Sequence, residues 1–178
     1  MTATILCKKI ETPLGTMLAC ATDSGICLLE FTDRVRLERQ VLGLKKLLNG
    51  EIVEADHPLF ETLKRELDEY FRKERQSFDL PLHLVGTEFQ KKVWQALLTI
   101  PYGETRSYLQ LSEFLENKLA IRAVAAANGA NRMAILVPCH RVIGSNGDLT
   151  GYAGGLQRKK FLLELEGNHP NGQLNMNL

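Results

Sequence analysis

The pattern of apolar residues changes its period at Gly86, and that change constrains the fold more than any other feature of the chain. Before it, Ile5 to Ile10, Met17 to Ala21 and Ile26 to Phe31 read as short strands separated by the turn signals Pro13-Leu14-Gly15 and Asp23-Ser24-Gly25, which predicts a small antiparallel meander. Two helices follow. One runs from about Arg34 to Leu48; the other is opened by Pro58 and carries Leu59, Phe60, Leu63, Leu67, Tyr70 and Phe71 at helical spacing. The charged run Arg72-Lys73-Glu74-Arg75-Gln76 leads into Phe78 to Val85, read as a linker that closes a support domain over residues 1–85.

Beyond Gly86 the helices are closely spaced and carry explicit start signals. Thr87 with Gln90 has the capping-box spacing, and Phe89, Val93, Trp94, Leu97 and Leu98 then form an apolar face that ends at Pro101-Tyr102-Gly103. Ser107 with Gln110 opens a second helix, Tyr108 to Leu115, and Leu119 to Asn128 forms a third after the polar Glu116-Asn117-Lys118. Two short helices joined by three residues fit a helix-turn-helix, although a plain helical hairpin is the commoner meaning of such a pair. Ala120, Ala123, Ala125, Ala126, Ala127 and Gly129 leave one face almost without side chains, interrupted by Arg122. A helix that bare fits a groove as narrow as the minor groove of duplex DNA, about 6 Å wide, where an arginine can contact phosphates or occupy the base stack.

The chain has 178 residues, 44% of them hydrophobic, enough for one compact unit or two small ones. A net charge of only +1 excludes a strongly basic surface, but the charge is uneven: residues 1–86 hold 12 Lys+Arg against 14 Asp+Glu, and residues 87–178 hold 10 against 7. A polyanion would prefer the second half. Cys7, Cys20, Cys27 and Cys139 show no paired spacing, and no signal segment or membrane-length apolar span occurs, so the expectation is a cytoplasmic protein with free thiols. Their spacing with His57 and His83 suggests no metal site.

The apolar run Ala134-Ile135-Leu136-Val137 is expected to be a buried strand that Pro138 ends, delivering Cys139 and His140 to the rim of the core. Only a thiolate is a good nucleophile, and His140 is its natural activator, directly or through a water. Glu166, in the last turn of a helix over Leu156 to Glu166, opposes the helix dipole there; pairing with His140 would compensate, and a solvated surface carboxylate is the plain alternative. Gly144-Ser145-Asn146-Gly147-Asp148 is a tight-turn signal, and Gly151-Tyr152-Ala153-Gly154-Gly155 either brings backbone amides to a ligand or merely shapes a loop. Asn131 could tie its turn to the cysteine segment, or be an ordinary turn residue.

Together, Pro138 to Val142, Ile143-Gly144, Gly151 to Gly155, Arg122-Ala123-Val124 and Leu162 to Gly167 closely resemble the O6-alkylguanine-DNA alkyltransferases, and Thr12-Pro13-Leu14-Gly15 with its flanking strands resembles that family's N-terminal domain. The resemblance implies an α/β fold of the α+β kind. A small N-terminal domain with an antiparallel sheet and helices would precede a mostly helical, winged-helix-like domain with a helix-turn-helix over 86–168. The tail over 169–178 lies outside the resemblance, and its asparagine-rich composition is that expected of a disordered end. The resemblance implies a DNA-repair methyltransferase, working as a monomer without cofactor or metal on double-stranded DNA bearing O6-alkylguanine, and on O4-methylthymine. The damaged base would be rotated out of the stack and its alkyl group moved once, irreversibly, to Cys139.

By the same resemblance His140 and Glu166 form a water-mediated relay with Asn131 in the catalytic set. Tyr108 rotates the 3′ phosphate and donates a proton to the departing base, and Arg122 fills the gap, with Ala120, Ala123 and Ala125 on the DNA. Cys139, Val142, Tyr152 and Ala153 line the base pocket. Ala153 stands where other members carry serine, and Glu116-Asn117-Lys118 lacks the Gly or Pro often found between the two helices. Two other readings compete: a non-catalytic alkylated-DNA sensor, against which Cys139 argues, and a cysteine hydrolase using Cys139, His140 and Glu166, which leaves Arg122 and its bare helix without a purpose.

Overall fold

The computed structural model describes residues 2–169 and divides the chain into two compact units, Met1–Gly86 and Thr87–Leu178. The asparagine-rich tail expected at 169–178 lies, beyond His169, outside the described residues.

In the first unit the turn signals work as expected. β1 (Ala3–Thr12), β2 (Gly15–Thr22) and β3 (Gly25–Phe31) form an antiparallel meander whose last strand is buried along its whole length. Gly25 takes a positive φ, and a side chain there would press on the carbonyl of Pro81, so this turn requires glycine. The sheet is not wholly antiparallel, however. α1 (Leu37–Leu48) ends at Asn49 in the left-handed conformation and feeds β4 (Gly50–Glu54), which pairs parallel to β1 and gives the order β3-β2-β1-β4. A helix between two parallel neighbours is the usual crossover, and β4 is too short and polar to announce itself in sequence. α2 (Pro58–Phe71) has proline in its first turn, and His57 accepts a hydrogen bond from the Leu59 amide as its cap.

Residues 78–85 are packed into this unit, where a linker was expected. Phe78 lies against Tyr70, Leu82 bridges Ile26, and Val85 joins the core cluster of Ile5, Cys7, Cys20, Cys27, Leu28 and Leu44. The expectation of four free thiols is also corrected: Cys7 and Cys20 form a disulfide. They face each other in the β1–β2 register, a proximity that their separation of 13 along the chain does not reveal. Cys27 and Cys139 are in no disulfide.

The second unit begins with α3 (Glu88–Leu97), and both expected capping boxes form, Thr87 with Gln90 and Ser107 with Gln110. The latter opens α4 (Tyr108–Phe114) directly after β5 (Arg106–Ser107). Leu119 lies not in the next helix but in a 3-10 turn, Lys118–Ala120, that leads into α5 (Ile121–Gly129). α5 buries Val124, Ala127 and Asn128, and the Trp94 indole donates 2.8 Å to the Ala127 carbonyl, which locks α3 to it. A second 3-10 turn, Cys139–Arg141, precedes β6 (Val142–Ile143), which pairs parallel to β5. β5 and β6 make the small sheet of this otherwise helical unit. α6 (Leu156–Leu165) closes the unit with Glu166 as its C-cap. No described helix is long and apolar enough to cross a membrane.

Candidate active site

The run from Met133 to Pro138 is not a strand. Leu136 and Val137 bond back to the carbonyls of Ala134 and Met133, and Ile135 adopts φ of 72°, a conformation that β-branched residues rarely take. A run buried on every side carries no period that separates strand from turn. What folds it is Asn131. Its Oδ1 accepts from the Met133 amide at 3.0 Å, while its Nδ2 donates to the carbonyls of Met133 at 3.3 Å and Val137 at 2.9 Å, and to Cys139 Sγ at 3.2 Å. Two hydrogens thus serve three acceptors, and the asparagine that shapes the turn also touches the sulfur. Cys139 opens the 3-10 turn with 6% of its surface exposed.

From that turn His140 and Arg141 both reach Glu166. His140 Nε2 lies 2.8 Å from Oε1, and Arg141 forks onto the carboxylate through Nε and Nη2 at 2.9 Å each, its Nη1 donating to the Ile100 carbonyl at 2.6 Å. Burial by itself would push the Glu166 carboxyl up, but the hydrogen bonds from His140 and Arg141 hold it well below the usual carboxylate range. Burial pushes His140 down, against the opposing pull of Glu166, so the imidazole is neutral at pH 7. The neutral ring donates through Nε2 to the carboxylate and carries its lone pair on Nδ1, which is buried and has no hydrogen-bond partner among the described residues. That is a base with a free site. Arg141 also supplies the compensation that a carboxylate at a helix C-terminus requires.

Lys159, on α6, is fully buried; its ammonium donates to the carbonyls of Val142 and Thr150, the latter at 2.7 Å, and no described carboxylate pairs with it. Burial pushes it down to about 8, opposed by the charge that Cys139 carries when ionised. A cation so placed favours the thiolate. Tyr108, at the start of α4, donates to the Thr150 carbonyl at 3.2 Å, and Gly151 is glycine partly because a Cβ there would lie 3.3 Å from the phenol oxygen.

The carbonyl of Val142, a residue the resemblance places in the base pocket, accepts from Lys159. Tyr152 is buried, whereas Ala153 is exposed. The outward side of α5 consists of Ile121, Arg122, Ala123 and Ala126, with Ala120 and Ala125 half-buried, and Leu119 in the turn before it is 99% exposed, so the approach is less bare than the alanines suggested. The structure therefore brings Cys139, His140, Glu166, Asn131, Tyr108, Val142 and Tyr152 into one unit with the Arg122 helix. Sequence reasoning missed Arg141 and Lys159.

Two family models match the chain: "6-O-methylguanine DNA methyltransferase, DNA binding domain" over residues 88–168 and "6-O-methylguanine DNA methyltransferase, ribonuclease-like domain" over residues 5–84. A methylated-DNA–protein-cysteine methyltransferase of Methanosarcina acetivorans is 45% identical over 157 residues, covering 88% of this chain and 95% of that protein. The protein of the same name from Mycobacterium leprae is 46% identical over 162 residues, with 91% and 92% covered. Among solved structures, Mycobacterium tuberculosis OGT in complex with DNA superposes with a TM-score of 0.76 at 40% identity, covering 91% of this chain and 93% of that one.

Proposed function

The chain belongs to the 6-O-methylguanine DNA methyltransferase family, and from that membership we propose that Cys139 accepts an alkyl group from O6-alkylguanine in duplex DNA. It is a methylated-DNA–protein-cysteine methyltransferase, which repairs DNA by alkyl transfer to its own cysteine, and DNA is its partner. O4-methylthymine is the second substrate. We assign the protein to the cytoplasm, acting as a monomer.

The observation that carries this reading is the thiol at the rim of a core, beside a neutral histidine whose second nitrogen is engaged by a buried carboxylate. The outward side of α5 enters the minor groove, the target nucleotide rotates out, and Arg122 fills its place. Tyr108 turns the 3′ phosphate, and Val142, Tyr152 and Ala153 surround the base. The Cys139 proton passes through a water to His140 Nδ1, and the Glu166 carboxylate stabilises the imidazolium that forms. The sulfur attacks the alkyl carbon. The carbon–oxygen bond breaks with its electron pair going to guanine, and the Tyr108 proton neutralises the leaving base. The imidazolium proton then returns through water to the Tyr108 oxygen, so that the net change is one proton from Cys139 to guanine and one alkyl group from guanine to Cys139. The thioether that results is stable, so each molecule acts once.

Intact-protein mass spectrometry after incubation with a duplex carrying one O6-methylguanine tests this. One methyl on the Cys139 peptide, saturating at one per protein and absent in Cys139→Ala, is expected. An unmodified protein that still binds the lesion would make it a sensor, and repeated turnover of a thiol-reactive ester would make it a hydrolase.

A further inference from the structure

Leu119 is the most exposed apolar side chain beside the stripe of α5 that carries Arg122. It lies in the 3-10 turn Lys118–Ala120 and is 99% exposed; among the described large apolar residues only Val35, in the other unit, stands as far out, and the next is Leu42 at 58%. The turn runs straight into α5, which begins at Ile121. Leu119 therefore sits three residues before Arg122 on one side of a continuous helical run, and the exposed Ala123 and Ala126 extend that side. Single exposed leucines are ordinary on a protein surface, but one at the head of a stripe read as facing DNA has a partner at hand.

The surroundings suit a polyanion better than a second protein. α5 holds no acidic residue, and its one charge is Arg122. Lys118 meets Glu113 at 3.4 Å in an exposed pair, a contact weak enough for a phosphate to replace. Leucine has no side-chain donor or acceptor, so it reads no base edge and holds no phosphate. What an apolar side chain does in a minor groove is enter between two base pairs and occupy the space that opens as they unstack. Three residues advance a helix by roughly 5 Å, and bases stack about 3.4 Å apart. A helix laid along the groove thus sets Leu119 against the step next to the one that Arg122 fills.

We propose that Leu119 is a second wedge, which enters the minor groove beside Arg122 and opens the base step adjoining the vacated one. The proposal rests on the reading that the outward side of α5 faces DNA. It makes the turn before α5 a determinant of sequence context. The leucine gains the same burial at every step, but opening costs less at TpA and CpA steps, which unstack easily, than in stiff A-tracts. Transfer becomes sensitive to sequence at positions that no polar group reads.

The test is the second-order rate of single-turnover transfer by wild type, Leu119→Ala, Leu119→Met and Arg122→Ala. Two duplexes are compared, with the O6-methylguanine flanked on each side by a TpA step in one and an ApA step in the other. An exposed side chain can be replaced without disturbing the fold, so the unfolding temperatures of the Leu119 variants should match that of wild type. Leu119→Ala should be slower by about tenfold on the TpA duplex and by no more than about twofold on the ApA duplex, so that the context preference of wild type disappears. Leu119→Met, which keeps the apolar bulk, should restore most of the loss. 2-Aminopurine placed in the flanking step should brighten on binding wild type and stay quenched with Leu119→Ala. Equal losses on both duplexes, or a loss shared by the free modified base, overturn the proposal. A wild-type rate in Leu119→Ala with Arg122→Ala slowed overturns it while leaving α5 on the DNA, and a concurrent loss of self-association in sedimentation would give the leucine to a contact between copies instead. Wild-type duplex rates in both Leu119→Ala and Arg122→Ala overturn the reading of α5 as the DNA face, and the proposal with it.

Discussion

Lys159 shows how a single residue can be hidden by its neighbours. In sequence it sits in Arg158-Lys159-Lys160, which reads as a solvated run, yet it shares a helix face with Leu156, Leu162 and Leu163, and that spacing was the available signal. Buried and pushed down to about 8, it loses its proton in the folded protein below the usual lysine value of about 10.4. The sign of the linkage follows. Below pH 8 both folded and unfolded chains hold the proton and the folded state bears the full cost of burying the charge; as pH rises from about 8 to 10.4 that cost is relieved and stability increases. Function runs the other way, because the charge that favours the Cys139 thiolate is present only below about pH 8. Lys159→Gln should slow single-turnover transfer at pH 7 by about tenfold and shift its pH–rate profile upward by about one unit, converging on wild type at high pH. Identical profiles would remove the lysine from the chemistry. Cys139 and His140 were legible because their residue types announce chemistry, Glu166 was one of two readings of a carboxylate at a helix end, and Asn131 entered the catalytic set only through the family resemblance; Arg141 was not legible, because an arginine's burial is invisible without the fold.

Local punctuation was the most readable part of the elements. Both capping boxes, Pro58 and the hairpin turns give short-range instructions that tertiary structure had no reason to override. The failures occurred where burial erased the period, in the Met133–Pro138 turn, or where pairing came from a distant strand, as in β4 with β1. α5 lies between these cases: its position was readable, its exposed side only partly so, since Leu119 and Ile121 stand beside the alanines. Arg122, exposed on that side, should matter only when a base must leave a stack. Arg122→Ala is expected to slow transfer from duplex DNA at least tenfold while leaving reaction with the free modified base within twofold. Equal losses on both substrates, measured by quenched single-turnover assay, would deny it a role in extrusion.

Across the whole molecule, chemistry and stability are assigned to different units. Each residue of the candidate site belongs to Thr87–Leu178, and the Cys7–Cys20 disulfide belongs to Met1–Gly86. Closing a loop of 13 residues' separation contributes on the order of 3 kcal/mol in the chain-entropy view. Reduction with a phosphine should therefore lower the unfolding temperature by several degrees without changing the transfer rate at 25 °C; a parallel loss of activity would mean that the first unit governs the second. Asn131 has a different kind of consequence. Its amide hydrogens hold the 133–139 turn together while also touching the sulfur, so a methyl on that sulfur crowds the very clasp that shapes its surroundings. A spent copy is then not merely inert but packed differently around its own sulfur, because the clasp that shapes the turn is the same group the new methyl crowds.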